Sequence, residues 1–191
     1  MTPHHDTNRD MVPGRIFTVA LIISVLIFFL IVTGCTQSSG LPSNRSSRVW
    51  ETTELTDVRT DEVFTVSSFS DRPVLIQSFT ITCPICMKQQ EEITRLAESG
   101  GVPFVMIGLD IDPNGDVRLL RQYTEQKGYT GLYARSPLLM TQSLVDQFGI
   151  TVLHPAEAPL ILVCPDGTAT LLPSGIKTMP DLKQALAGCP G

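Results

Sequence analysis

The sequence has no excess of basic charge. Its 14 Lys and Arg stand against 19 Asp and Glu, a formal net charge of -5, so it offers no footprint for a phosphate backbone and nucleic acid is not an expected partner. Charge of either sign is sparse, at 17% of residues against 42% hydrophobic, which excludes disorder as the overall state. The chain carries a single Cys-x-x-Cys, with neither a second one nor a His pair at ligand spacing, so no four-ligand zinc site is legible. Internal repeats and low-complexity tracts are missing from residue 49 onward. Once the N-terminal segment is set aside, the 191 residues suffice for one core-bearing domain and not for two.

What is present begins with an uncharged run, Ile16 to Thr33, dominated by Ile, Leu, Val and Phe and preceded by Arg9 and Arg15. Its 18 residues stand near the lower limit for crossing about 30 Å of hydrocarbon, and they also suit the core of a long signal peptide. Val32-Thr33-Gly34-Cys35 resembles a prokaryotic lipobox, in which Cys35 is lipidated; an uncleaved signal anchor is the alternative. Both place the remainder outside the cytoplasm, attached to a membrane. Residues 36–48, rich in Ser, Gly, Pro and Asn, read as a flexible tether between the anchor (1–35) and a domain spanning 49–191.

Within that domain strand and helix signals alternate. Val63 to Val66 alternates and is β-branched; Val74 to Phe79 is a mostly apolar run after Asp71-Arg72-Pro73 and reads as a central strand. A helix over Cys83 to Ser99 stops at Gly100-Gly101. Phe104 to Leu109 reads as a buried strand, Asp116 to Lys127 as a helix closed by Gly128, and Leu138 to Phe148 as one closed by Gly149. Leu160 to Val163 and Thr168 to Leu172 flank the turn Pro165-Asp166-Gly167, and a last helix starts at Met179-Pro180-Asp181. The order predicts an α/β sandwich with a mixed sheet and an N-terminal β-hairpin.

Chemistry concentrates at Cys83-Pro84-Ile85-Cys86. Two residues between cysteines at a helix start let the sulfurs meet, and they leave the first near unpaired backbone N–H groups that favour its thiolate. The thiolate is the attacking species in disulfide exchange; the second cysteine resolves the mixed disulfide. Cys164 reads as a buried core thiol or as the partner of Cys189 in a bridge, and the pairing stays open.

On Asp61-Glu62-Val63-Phe64-Thr65-Val66-Ser67-Ser68-Phe69, Phe79-Thr80-Ile81-Thr82-Cys83-Pro84-Ile85-Cys86 and Ala158-Pro159-Leu160, the chain resembles the thioredoxin-like superfamily, in particular the membrane-anchored extracytoplasmic redoxins of thiol-reductase and Sco type. The resemblance covers about Leu55 to Leu186. It implies a thioredoxin-like sandwich and a thiol–disulfide oxidoreductase that needs no cofactor beyond its redox disulfide. It implies as partners exported proteins with cysteine pairs and an upstream thiol electron donor, either membrane-bound or soluble. It also implies a cis peptide bond before Pro159, where Ala158 and Pro159 would receive a substrate strand. Thr82 departs from the aromatic common before the first cysteine. Gln77 stands where thioredoxins place a buried acid, and Gln89 where thiol reductases usually have Glu, so the general base is unassigned; Glu91 and Glu92 read as a solvated helix face. Two other readings compete. Cys83, Cys86 and His154 together would suit copper in a Sco-like carrier, although Sco-like sites have three residues between the cysteines. Thr80 before Cys83 matches a peroxiredoxin-like peroxidase, against which stand Ile76 in place of a proline and the adjacent Cys86.

Overall fold

The computed structural model describes residues 48–101 and 103–190. The segment Ile16–Thr33, Cys35 and tether residues 36–47 lie outside them, and among the described residues no helix is long and apolar enough to cross a membrane. The chain runs through α1 (Val49–Thr52), β1 (Leu55–Thr56), β2 (Val63–Phe64), a 3-10 turn (Val66–Phe69), β3 (Val74–Phe79), α2 (Pro84–Glu98), β4 (Val105–Asp110), α3 (Val117–Lys127), β5 (Leu132–Arg135), α4 (Leu138–Phe148), 3-10 turns at Ile150–Leu153 and Pro155–Glu157, β6 (Leu160–Val163), β7 (Ala169–Leu171) and α5 (Met179–Ala187).

Five strands form one mixed sheet in the order β5-β4-β3-β6-β7. As its mostly apolar run suggests, β3 is buried at every position and central: it pairs parallel with β4, from Val74 opposite Val105 to Phe79 opposite Asp110, and antiparallel with β6, from Val74 opposite Val163 to Gln77 opposite Leu160. Successive side chains of a strand point to opposite faces. Val74 and Ile76 accordingly enter a core with Trp50, Ile107, Met140 and Leu144, while Leu75 enters another with Ile93 and Leu96 of α2 and Leu182 and Leu186 of α5. Phe79 lies against Cys86, Leu120 and Tyr133. Gln77, between Leu75 and Phe79, therefore faces α2. The result is an α/β sandwich with helices on both faces of a mixed sheet.

Two elements were not legible in the sequence. β5 extends the sheet parallel to β4, with Ile107 opposite Leu132, and α1 is one turn that seats the buried Trp50. The strand expected over Val63–Val66 is shorter than its alternation suggests. The Thr65 and Ser68 side chains form a reciprocal capping box that turns Val66–Phe69 into a 3-10 turn, leaving Val63–Phe64 paired antiparallel with Leu55–Thr56. The outer edge of β5 is covered by the loop between β1 and β2: the buried Asp57 accepts the Tyr133 N–H at 2.8 Å, Val58 donates to the Tyr133 carbonyl at 2.8 Å, and the Arg59 guanidinium donates to the carbonyls of Tyr129 and Gly131. A covered edge cannot template another chain.

Cys164 and Cys189, the pairing left open above, are disulfide-linked, with Cα atoms 5.3 Å apart and a sequence separation of 25. The bridge ties the residue after β6 to the end of α5. A loop of that size contributes roughly 3 kcal/mol by constraining the unfolded chain.

Candidate active site

Parallel β3, β4 and β5 bring their C-terminal ends, Phe79, Asp110 and Arg135, to one edge of the sheet. α2 begins at that edge, and its N-cap is Cys83. Cys83 keeps an extended backbone (φ -87°, ψ 109°), and its Sγ accepts the N–H of Cys86 at 3.1 Å, as a capping Ser or Asp oxygen would. Pro84 at the first helical position has no N–H to satisfy, and its fixed φ suits the first turn. The sulfur thus occupies the position where helix donors and dipole stabilise negative charge. Cys83 is partly exposed, whereas Cys86 is fully buried with its Sγ 3.2 Å from the Pro155 carbonyl oxygen. The two are disulfide-linked, with Cα atoms 5.3 Å apart.

Behind the pair the polar groups are neutral amides and one amine. Gln77 is fully buried; its Nε2 donates to the Cys86 carbonyl at 3.3 Å, and its Oε1 has no hydrogen-bond partner among the described residues. Gln89, one turn beyond Cys86, is also fully buried. Its side chain closes a two-bond clamp on the backbone of Lys177, with Nε2 donating to the Lys177 carbonyl at 3.1 Å and Oε1 accepting the Lys177 N–H at 2.7 Å. The Lys177 side chain turns inward and donates through Nζ to the Ala158 carbonyl at 2.6 Å. Burial pushes its amine down to about 8 from the ordinary 10.5.

Ala158 and Pro159 are buried beside this group. The cis bond expected before Pro159 is not found: among the described residues every peptide bond is trans. The chain instead turns into β6 through Ala158 itself, which takes the left-handed conformation (φ 46°, ψ 54°) at the end of the Pro155–Glu157 turn. Both Ala158 backbone groups are engaged within the chain, the N–H by the Pro155 carbonyl at 2.9 Å and the carbonyl by Lys177.

His154 is exposed and directly precedes Pro155. Among the described residues no group of three or more His, Cys, Asp or Glu is gathered as a metal ion would require. Glu91 is exposed. The Glu92 carboxylate accepts from Arg95 and from the Met179 N–H at 2.9 Å, a structural role in joining α2 to α5. At the active edge the buried Asp110 is raised by desolvation, an effect opposed by hydrogen bonds from the Asp112 N–H and Arg135. The helices that follow β4 and β5 present Val117, Leu138 and Leu139 at the same edge, the two leucines 71% and 67% exposed. In the sequence these leucines read as part of the helix Leu138 to Phe148 and nothing more. It missed Lys177 altogether, and nothing in Gly175-Ile176-Lys177-Thr178 marks a buried amine.

No protein-family model matches the sequence, and no curated protein matches it. Solved structures do resemble it. They include a secreted Mycobacterium tuberculosis disulfide oxidoreductase homologous to E. coli DsbE (15% identity, TM-score 0.52, covering 71% of this chain and 94% of that one). An exposed lipoprotein thioredoxin of Streptococcus pneumoniae matches at 14% identity and TM-score 0.56, covering 71% and 97%, and a thioredoxin-related protein of Neisseria meningitidis serogroup B at 14% and 0.57, covering 70% and 96%. At such identities the likeness establishes the fold.

Proposed function

We propose, taking the thioredoxin-like fold as the premise, that this chain is a thiol–disulfide oxidoreductase tethered to a membrane outside the cytoplasm, acting on cysteine pairs of exported proteins. The observation that carries the reading is the pairing of a partly exposed Cys83 sulfur at the α2 N-cap with a buried Cys86 one turn behind it. In the reduced protein the Cys83 thiolate attacks one sulfur of a substrate disulfide; a Cys83–substrate bond forms and the other substrate sulfur leaves as thiolate. Cys86 then attacks Cys83, the internal disulfide closes, and the second substrate sulfur leaves. Two electrons have passed to the substrate, and an upstream thiol donor returns the pair to the dithiol. The same steps run in reverse when the substrate is the dithiol.

Three further features support the reading. Leu138, Leu139 and Val117 supply an apolar rim for the exposed segment of an unfolded substrate. The Cys164–Cys189 bridge suits an oxidising compartment. Solved structures of like fold include a secreted disulfide oxidoreductase and an exposed lipoprotein thioredoxin. The expected result with the full-length chain in detergent is reversible equilibration of Cys83–Cys86 with thiol buffers together with reduction of insulin. Absence of both would refute the assignment. Cu(I) binding that is lost in His154→Ala, in place of insulin reduction, would transfer the chain to copper delivery.

Location has its own test. The chain should fractionate with membranes, and Cys35→Ser should release it or leave its precursor unprocessed if Cys35 carries lipid. Unchanged mass and anchoring would assign the attachment to the uncleaved segment Ile16–Thr33.

A further inference from the structure

A lysine 6% exposed is an expensive residue, because a buried ammonium forfeits its hydration unless a counter-charge replaces it. Lys177 is such a residue, and none of the ion pairs among the described residues includes it. The charged and titratable groups on the surrounding elements are exposed or otherwise occupied. Glu157 on the Pro155–Glu157 turn and His154 just before it are exposed, as are Lys88 on α2 and Lys183 on α5. Glu92 is held by Arg95 and Met179, and Asp181 closes the capping box with Thr178. Lys177 is nonetheless fixed in place by the two bonds from Gln89 to its backbone.

A short run of contacts leads from its amine to the redox pair. Nζ donates to the Ala158 carbonyl at 2.6 Å, the Ala158 N–H donates to the Pro155 carbonyl at 2.9 Å, and that carbonyl lies 3.2 Å from Cys86 Sγ. Gln77 and Gln89, the other polar side chains described behind the pair, are neutral.

We propose that Lys177 is a positioning residue for the redox pair, whose ammonium supplies the counter-charge for the Cys86 thiolate once the internal disulfide is reduced. The inference rests on the oxidoreductase reading and adds to it the group that readies the buried resolving thiol. The oxidised protein has no thiolate at the site, and there burial leaves the amine near 8, still mostly protonated at pH 7. In the mixed-disulfide intermediate the Cys86 thiol loses its proton to solvent while the ammonium keeps its own. The thiolate then attacks Cys83 Sγ; the Cys83–Cys86 bond forms, the Cys83–substrate bond breaks, and the departing substrate sulfur takes a proton from water. Because the cation favours the thiolate, it favours the reduced protein over the disulfide.

The test compares Lys177→Met, which removes the charge, Lys177→Gln, which removes the charge and keeps a donor, and Lys177→Arg, which keeps the charge, all in the full-length chain. In a Cys83→Ser background, alkylation of Cys86 followed on its own peptide across pH should shift upward for Met and Gln, with the rate at pH 7 falling about tenfold. Arg should stay near the parent. In the otherwise unaltered chain, Met and Gln should make Cys83–Cys86 more reducing, and Arg should not. A purely structural role at the Ala158 carbonyl predicts the opposite grouping, with Gln resembling the parent, and that result overturns the proposal. So do superimposable pH profiles and potentials in all four proteins. If the parent neither equilibrates with thiol buffers nor reduces insulin, it is the oxidoreductase reading that fails. If Met does not fold, Gln and Arg still divide charge from hydrogen bonding.

Discussion

Replacing Cys86 by serine should turn the protein into a trap. Cys83 keeps its place at the α2 N-cap, where the residue 86 N–H points at its sulfur, so the first attack on a substrate disulfide still occurs. The second step has lost its nucleophile. Mixed disulfides with substrate proteins should then accumulate on Cys83, visible as reducible high-mass bands that are absent from the parent. Cys83→Ser should give almost none, because the remaining thiol is fully buried beneath the Pro155 carbonyl. Turnover with insulin should drop to the uncatalysed rate in both variants. The first thiol should also titrate below the ordinary ~8.5 of cysteine, since it faces helix donors. Trapping through Cys86, or equal alkylation rates for the two thiols, would reverse the assigned roles.

The largest loss of stability is expected from Trp50→Ala. Trp50 is fully buried although it sits on a helix of a single turn. Its ring lies 5.7 Å from that of Phe148 at 58°, its Nε1 donates to Gln147 Oε1 at 2.8 Å, and its backbone N–H donates to Ser143 Oγ at 3.2 Å. Truncation removes most of the area that holds α1 to α4 and leaves a cavity in the core shared with Ile76 and Leu144. About 3–5 kcal/mol is the usual cost of such a change, a large part of the roughly 5–15 kcal/mol that stabilises a domain. Urea unfolding of the oxidised full-length chain should show it as a lower midpoint with an unchanged slope. Trp50→Phe, which keeps the ring contact and loses the Nε1 bond, should cost far less. A loss below about 1 kcal/mol for the alanine variant would mean that α1 detaches at little cost.

The contrast between these residues shows where sequence information lies. β3 was legible because a mostly apolar run after Pro73 reports burial locally, α2 because apolar residues spaced among polar ones end at Gly100-Gly101, and the Cys83–Cys86 site because its chemistry sits within four consecutive residues at a strand-to-helix junction. β5 has four residues and ends on Arg135, too short to display an alternation, and α1 has one turn and no period to read. The Val63–Val66 alternation was overridden by side-chain hydrogen bonds at Thr65 and Ser68, a local competitor that hydrophobicity does not register. Gln77 and Gln89 stood out only as departures from a family pattern, and their work appears only with their partners in place. Lys177 shows the limit most clearly. A loop lysine is ordinarily exposed, and its burial depends on a clamp from Gln89, 88 positions earlier in the chain.

The Cys164–Cys189 bridge brings a hazard that its placement answers. On the proposed function, a protein that works by disulfide exchange carries in its own fold a second disulfide, and an attack by Cys83 on that bond would scramble the molecule. β3 and β6 run antiparallel, with Val163 opposite Val74, so Cys164 lies past the first residue of β3 while Cys83 lies past its last. At about 3.3 Å per residue the six residues of β3 separate the two disulfides by roughly 20 Å, with buried side chains between them. Self-isomerisation would require the sheet to open first. Fidelity of the redox pair toward outside partners is thus a property of strand direction, and it should persist for as long as the sheet stays intact.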